Sequence, residues 1–141
     1  MTLESAIELA CRLHSGQRDK GGETIIYHVL RVMEAMPKRR EYQYTALMHD
    51  AVEDGLIVIE EVERLFGRDV ADQVGGVSRK DGEGYMDYIQ RVAPLHIARA
   101  VKIADLTDNL SPSRRGAISD SQRERYQKAL DYQLDYAEQE V

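Results

Sequence analysis

Residues 47–54 read LMHDAVED. Leu47, Met48, Ala51 and Val52 recur at helical spacing, while His49, Asp50, Glu53 and Asp54 gather in the same turns. The spacing predicts a helix that starts near Arg40 and ends at Gly55, where glycine suits the left-handed C-terminal position. Residues three or four apart share a helix face, so His49 and Glu53, Asp50 and Glu53, and Asp50 and Asp54 are predicted neighbours. Crowded carboxylates destabilise such a face unless something positive lies among them. A divalent cation would serve. Imidazole with carboxylate is a donor set suited to manganese, iron, zinc or cobalt more than to calcium.

Working outward, Leu3, Ala6, Ile7, Ala10 and Leu13 form a first helical stripe behind the cap residue Thr2. QRDKGGET at 17–24 reads as a loop, and Ile25 to Met36 as a second helix closed by Pro37. After the 47–54 stretch come IEEVERLF and RDVADQVGGV, two amphipathic segments, then the loop RKDGEG and the helix GYMDYIQRV. Pro94 suits the first turn of the next helix, LHIARAVKIADLTDNL. A long charged helix closes the chain. Only LIVIE at 56–60 alternates with a period of two, so the fold is expected to be all-α. The expectation is one domain over 1–141, with 115–141 as a C-terminal helix. Tyr126, Tyr132 and Tyr136 in that helix can pack on the domain or offer a partner surface to a second copy.

The 141 residues carry a net charge of −6 and no apolar run near the ~18 residues that span a membrane. That balance opposes duplex DNA as a partner and leaves a small phosphorylated molecule needing a local solution. The single cysteine, Cys11, lies among Ile7, Ala10 and Leu13 and reads as a small buried hydrophobe. No secretion signal pattern is visible, so a cytoplasmic, soluble protein is expected.

Two more positions extend the cluster. His28 lies among Ile25, Ile26, Val29, Leu30 and Val32, too apolar a setting for a merely solvated imidazole. Asp105 is flanked by Val101, Ile103 and Ala104, and a buried aspartate needs a partner. Asn109 falls one turn later on its face. His28, the His49-Asp50 pair and Asp105 would bring four ligands together from three helices of a bundle.

This order resembles the H…HD…D signature of HD-domain metal-dependent phosphohydrolases. HSGQRDKGGE at 14–23, TALMHDAVED at 45–54, FGRDVADQVGGVSRK at 66–80 and VKIADLTDNL at 101–110 are similar, in order, to segments of the RelA/SpoT-type hydrolases that remove pyrophosphate from (p)ppGpp. The chain looks most like short, stand-alone members of that group. The resemblance implies an HD-type helical bundle in which His28, His49, Asp50 and Asp105 hold one Mn²⁺ or another divalent transition metal. It further implies that Glu53 and Asp54 orient or deprotonate the attacking water, that Lys20 approaches substrate phosphates, and that Asn109 contacts the nucleotide. Asp19 stands where the family places an arginine and is expected to repel phosphate; DLTDN at 105–109 replaces the family's DRLHN. A second reading is therefore a metal-containing nucleotide sensor or interaction module without turnover.

Overall fold

The structure, a computed structural model, describes residues 1–114 and 116–140. Helix α1, Leu3–Leu13, begins at Thr2, whose hydroxyl accepts the Ser5 N–H while the Ser5 hydroxyl accepts the Thr2 N–H. This reciprocal pair satisfies two otherwise orphaned donors. The helix buries Ala6 and Ala10, four residues apart. Cys11 is one residue further on, turned by ~100° about the axis, and is exposed, which corrects its expected burial.

The loop at 17–24 is a closed structure. Arg18 and Thr24 form an isolated antiparallel bridge, and the Asp19 carboxylate accepts the N–H groups of Gly21 and Glu23 at 2.9 and 3.0 Å. Helix α2, Ile25–Glu34, follows and buries Ile25, His28, Val29 and Val32. Helix α3, Arg40–Met48, is central: Tyr44 to Met48 are all buried, and it packs against α1 and α2.

Helix α3 stops at Met48, not at Gly55. The Ala46 carbonyl, which would accept the Asp50 N–H in a continuing helix, is taken at 2.6 Å by the His49 ring. Residues 49–55 proceed as successive turns, with Asp54 N–H on the Asp50 carbonyl and Leu56 N–H on Ala51, before Gly55 turns the chain at φ 73°. The expected face shared by His49, Asp50, Glu53 and Asp54 is thus a set of turns rather than a helix.

Helices α4, Ile59–Phe66, and α5, Arg68–Val77, are separated by Gly67 at φ 92°. LIVIE forms no strand, because Val58 is the cap of α4 and is 63 % exposed. Gly76 lies inside α5, where a Cβ would stand 2.6 Å from Leu95 Cδ1; its absence lets the segment leading into the next long helix approach closely. Helix α6 is Tyr85–Val92 and α7 is His96–Leu110. Pro94 precedes the α7 cap residue Leu95 and is not in the first turn. A 3-10 turn, Pro112–Arg114, leads to α8, Asp120–Gln139, opened by a second reciprocal cap between Ser119 and Gln122. The final helix is therefore shorter than 115–141; Arg115 and Val141 lie outside the described residues.

Two apolar clusters meet at α3. One joins Ala6, Ala10, Val29, Leu47, Met48, Val62 and Val74; the other joins Val32, Ala46, Val77, Tyr88, Ile89, Val101 and Ala129. The α8 helix packs on α6 and α7 of the same chain, and buried Gln133 donates to the Ile89 carbonyl at 2.8 Å. Tyr126 and Tyr132 rest on the second cluster, and Tyr136 lies under the Arg99 guanidinium at 5.4 Å. No helix of the described residues is long and apolar enough to cross a membrane.

Candidate metal centre

The early end of α3 points both members of the His49-Asp50 pair inward, toward α2 and α7. His49 is 3 % exposed, His28 2 % and Asp105 5 %, with Asp50 partly buried. His28 Nε2 is 2.9 Å and His49 Nε2 3.2 Å from Asp105 Oδ1. Asp50 Oδ2 lies 3.3 Å from His49 Nε2 and 3.7 Å from His28 Nε2. One nitrogen or oxygen from each of the four residues falls within 4.8 Å of all the others.

These separations fit a cation. With metal–ligand bonds of ~2.1 Å, neighbouring donors stand ~3.0 Å apart in an octahedron and ~3.4 Å apart in a tetrahedron. The imidazoles are also fixed from behind. His49 Nδ1 is anchored on the Ala46 carbonyl, and His28 Nδ1 lies 2.6 Å from Asp108 Oδ2. Both Nε2 atoms therefore face the shared centre, as metal-binding imidazoles require.

Against burial, the neighbouring carboxylates raise the proton affinity of both imidazoles. Burial lowers the His49 pKa, but the charge of Asp50 and the hydrogen bond to Asp105 outweigh it and raise it to about 9. At His28 burial is likewise overcome by hydrogen bonds with Asp105 and Asp108, and the pKa rises. Burial would raise Asp105, yet the Lys102 charge and both imidazoles hold it well below the usual carboxylate range. Lys102 is itself buried and donates to Asp105 Oδ2 at 2.9 Å.

The other expected residues lie around this centre. Glu53 sits on the exposed rim; loss of hydration at its carboxyl, opposed by Lys102 and assisted by Asp50, raises its pKa. Asp54 is exposed and accepts from Gln17 Nε2 at 3.0 Å, while Gln17 Oε1 meets buried His14 Nδ1 at 2.6 Å. Asn109 Nδ2 reaches Asp105 Oδ1 at 3.4 Å, leaving its buried Oδ1 without a partner among the described residues. Lys20 is exposed on the 17–24 loop. Asp19 is turned inward, its side chain 5 % exposed and 3.5 Å from Arg114 Nη1, so it organises the loop instead of facing a substrate. His96 is on the surface and pairs with Glu140 at 3.0 Å.

The family model described as HD domain matches residues 6–101. The chain belongs to the HD-domain family. Curated relatives include a GTP pyrophosphokinase of Myxococcus xanthus, 30 % identical over 77 % of this chain and 16 % of its own length. The bifunctional (p)ppGpp synthase/hydrolase SpoT of Escherichia coli K12 is 30 % identical over 88 % of this chain and 20 % of its own. The chain thus spans a fifth or less of those two proteins. Among solved structures, a metazoan ortholog of SpoT that hydrolyzes ppGpp superposes with a TM-score of 0.79 at 27 % identity, covering 95 % of this chain and 84 % of that one.

Two members of this HD-domain site escaped sequence reading. Asp108, three residues after Asp105, accepts Arg31 Nε at 2.6 Å as well as facing His28. Lys102, three residues before Asp105, supplies the buried counter-charge. The i±3 spacing from Asp105 was the available signal for both.

Proposed function

We propose that this HD-domain chain is a metal-dependent phosphohydrolase that removes pyrophosphate from (p)ppGpp, with Mn²⁺ held by His28, His49, Asp50 and Asp105 and residues 1–141 acting as one unit. The observation that carries the reading is the convergence of two anchored imidazoles and two carboxylates from three elements within 4.8 Å, with Glu53 on the rim. A divalent cation in that cluster supplies a lowered pKa for water and polarises a phosphoryl oxygen.

The chain's own residues do the rest. Glu53, whose pKa is raised, is a suitable acceptor for the proton of the attacking water. Asp54, held by Gln17, orients that water. Asn109 offers its unpartnered oxygen to the nucleotide, and Lys20 offers its ammonium to the phosphates. Lys102 keeps Asp105 ionised at the floor of the site. Neither a membrane nor a nucleic acid is a partner in this reading.

The sensor alternative rests on the basic residues missing around Asp19 and in DLTDN; the inward turn of Asp19 takes away a repelling charge but supplies no basic group in its place. The test is release of pyrophosphate from ppGpp by the full chain with Mn²⁺. His49→Ala and Asp50→Asn should lose metal content and activity together. Glu53→Gln should keep its metal while its rate falls by roughly 10²-fold or more. A chain that loads metal and turns over no phosphorylated nucleotide refutes the hydrolase reading.

A further inference from the structure

His14 is the C-terminal cap of α1 and is 1 % exposed, yet its ring makes a single polar contact among the described residues. Nδ1 lies 2.6 Å from Gln17 Oε1, while the buried Nε2 has no partner. The other half of the Gln17 amide, Nε2, donates to Asp54 Oδ2 at 3.0 Å. An apolar side chain of similar size would fill the same place without a stranded ring nitrogen, so packing alone does not account for an imidazole here. The contact with Gln17 does.

Chemistry fixes the direction of each bond in this row. A carboxylate and an amide oxygen both accept, so Gln17 turns its NH2 toward Asp54 and its oxygen toward His14, and Nδ1 carries the proton. A flipped amide would set oxygen against carboxylate at one end and NH2 against the ring N–H at the other. His14 therefore holds the Gln17 amide in the one orientation that serves Asp54. The backbone keeps the row in place. Gly16, at φ 79°, turns the chain so that the Gln17 N–H bonds the His14 carbonyl at 3.0 Å, and the Gln17 carbonyl accepts the N–H of Ile25, the first residue of α2, at 3.0 Å.

Asp54 depends on such support. It is exposed, it lies in the turns beyond the end of α3, and Gln17 makes its only side-chain hydrogen bond among the described residues. The Asp54 N–H bonds the carbonyl of Asp50 at 2.9 Å, which places the backbone beside the metal cluster but leaves the side-chain rotamer open. We propose that His14 and Gln17 are positioning residues: His14, through the Gln17 amide, sets the rotamer of the Asp54 carboxylate and acts on the reaction only through it. This rests on the hydrolase reading, in which Asp54 orients the attacking water.

The experiment is a double-variant cycle on the Mn²⁺-loaded full chain with ppGpp. His14→Leu and Gln17→Met should each lower kcat about tenfold, the size of one lost hydrogen bond to a charged group, with KM and Mn²⁺ content unchanged. His14→Asn, whose amide N–H can take the place of Nδ1, should recover most of that loss. In an Asp54→Ala background neither His14→Leu nor Gln17→Met should cost further rate, because residues that act as one unit are not additive. Equal losses in both backgrounds, or unchanged kcat in both single variants, overturn the proposal. Gln17 is only partly buried and methionine keeps its length, so Gln17→Met carries the test if His14→Leu does not fold. If the parent turns over no nucleotide, the hydrolase reading fails by itself, and the nitrogen-15 spectrum of the His14 ring still decides whether His14 reaches Asp54 through Gln17. A protonated Nδ1 whose resonance shifts in both Gln17→Met and Asp54→Ala supports the row; an unprotonated Nδ1, or a resonance that Asp54→Ala leaves unmoved, overturns it.

Discussion

Asp108 Oδ2 lies 2.6 Å from His28 Nδ1, on the far side of the ring from the metal cluster, and the same carboxylate grips Arg31 through Nε and Nη2. The contact fixes both the tautomer and the direction of the imidazole, and Asp108 is held ionised because burial is outweighed by its bonds to His28 and to the partly exposed Arg31. Asp108→Asn weakens the acceptor without changing its shape. Metal affinity should fall ~10–100-fold, the range found when such supporting groups are lost. Competition with a fluorescent chelator measures it, and an affinity equal to the parent's would show that His28 is oriented by packing alone.

The two histidines give the metal-free and metal-loaded forms opposite responses to pH. His49 has a folded-state pKa of about 9 against about 6.5 in the unfolded chain. Its contribution to the stability of the metal-free protein is therefore complete below about pH 6.5 and disappears as pH rises through about 9. Metal requires both imidazoles neutral, so metal affinity should increase across that window by up to about tenfold per pH unit for each proton displaced. Denaturant titrations of chelator-treated protein, beside chelator competition at the same pH values, give the two slopes. If metal-free stability rose between pH 7 and 9, the protonated cluster would not be the resting state of the empty site.

Lys102 is the counter-charge for Asp105, 2.9 Å away, and both are buried. Truncation to Met leaves the carboxylate with the imidazole protons and the neutral Asn109 amide for compensation. Breaking one partner from a buried pair costs ~3–5 kcal/mol, so the metal-free Lys102→Met chain should be destabilised by roughly that amount. A bound divalent cation restores positive charge to the same carboxylate, and the deficit should shrink in Mn²⁺-loaded protein. Equal deficits with and without metal would assign Lys102 to packing against the Tyr88 ring, 5.1 Å away, rather than to charge balance.

The helical periods in the sequence located the bundle well, because apolar stripes such as Leu3–Leu13 are locally determined. The four clustered residues were legible because each is an ionisable group in an apolar setting, which demands a shared partner. What escaped was decided by side-chain contacts, most of them within a single turn, that an apolar period does not report. The end of α3 depends on the His49 ring capturing the Ala46 carbonyl, and no helical period reports that. Asp108 looks like an ordinary polar position of an amphipathic helix until α2 is placed against α7, and Lys102 looks like one until its bond to Asp105, three residues on, is formed in the buried site. Cys11 falls beside the buried stripe of α1 by a single residue, a rotation that apolar neighbours in sequence conceal.

Asp19 separates a charge argument from a structural one. As a sequence position it places a negative charge where an arginine would attract phosphate, and its removal would then tighten substrate binding. In the fold its carboxylate accepts the Gly21 and Glu23 N–H groups and faces Arg114, itself 8 % exposed. Asp19→Ala leaves two exposed loop N–H groups to water and strands a largely buried guanidinium, the last being worth ~1–3 kcal/mol. The variant should therefore melt at lower temperature, and its KM should rise as the loop carrying Lys20 loses its shape. Thermal denaturation with steady-state kinetics on ppGpp distinguishes the two accounts: a stable Asp19→Ala chain with a lower KM would mean that the carboxylate acts on the substrate after all.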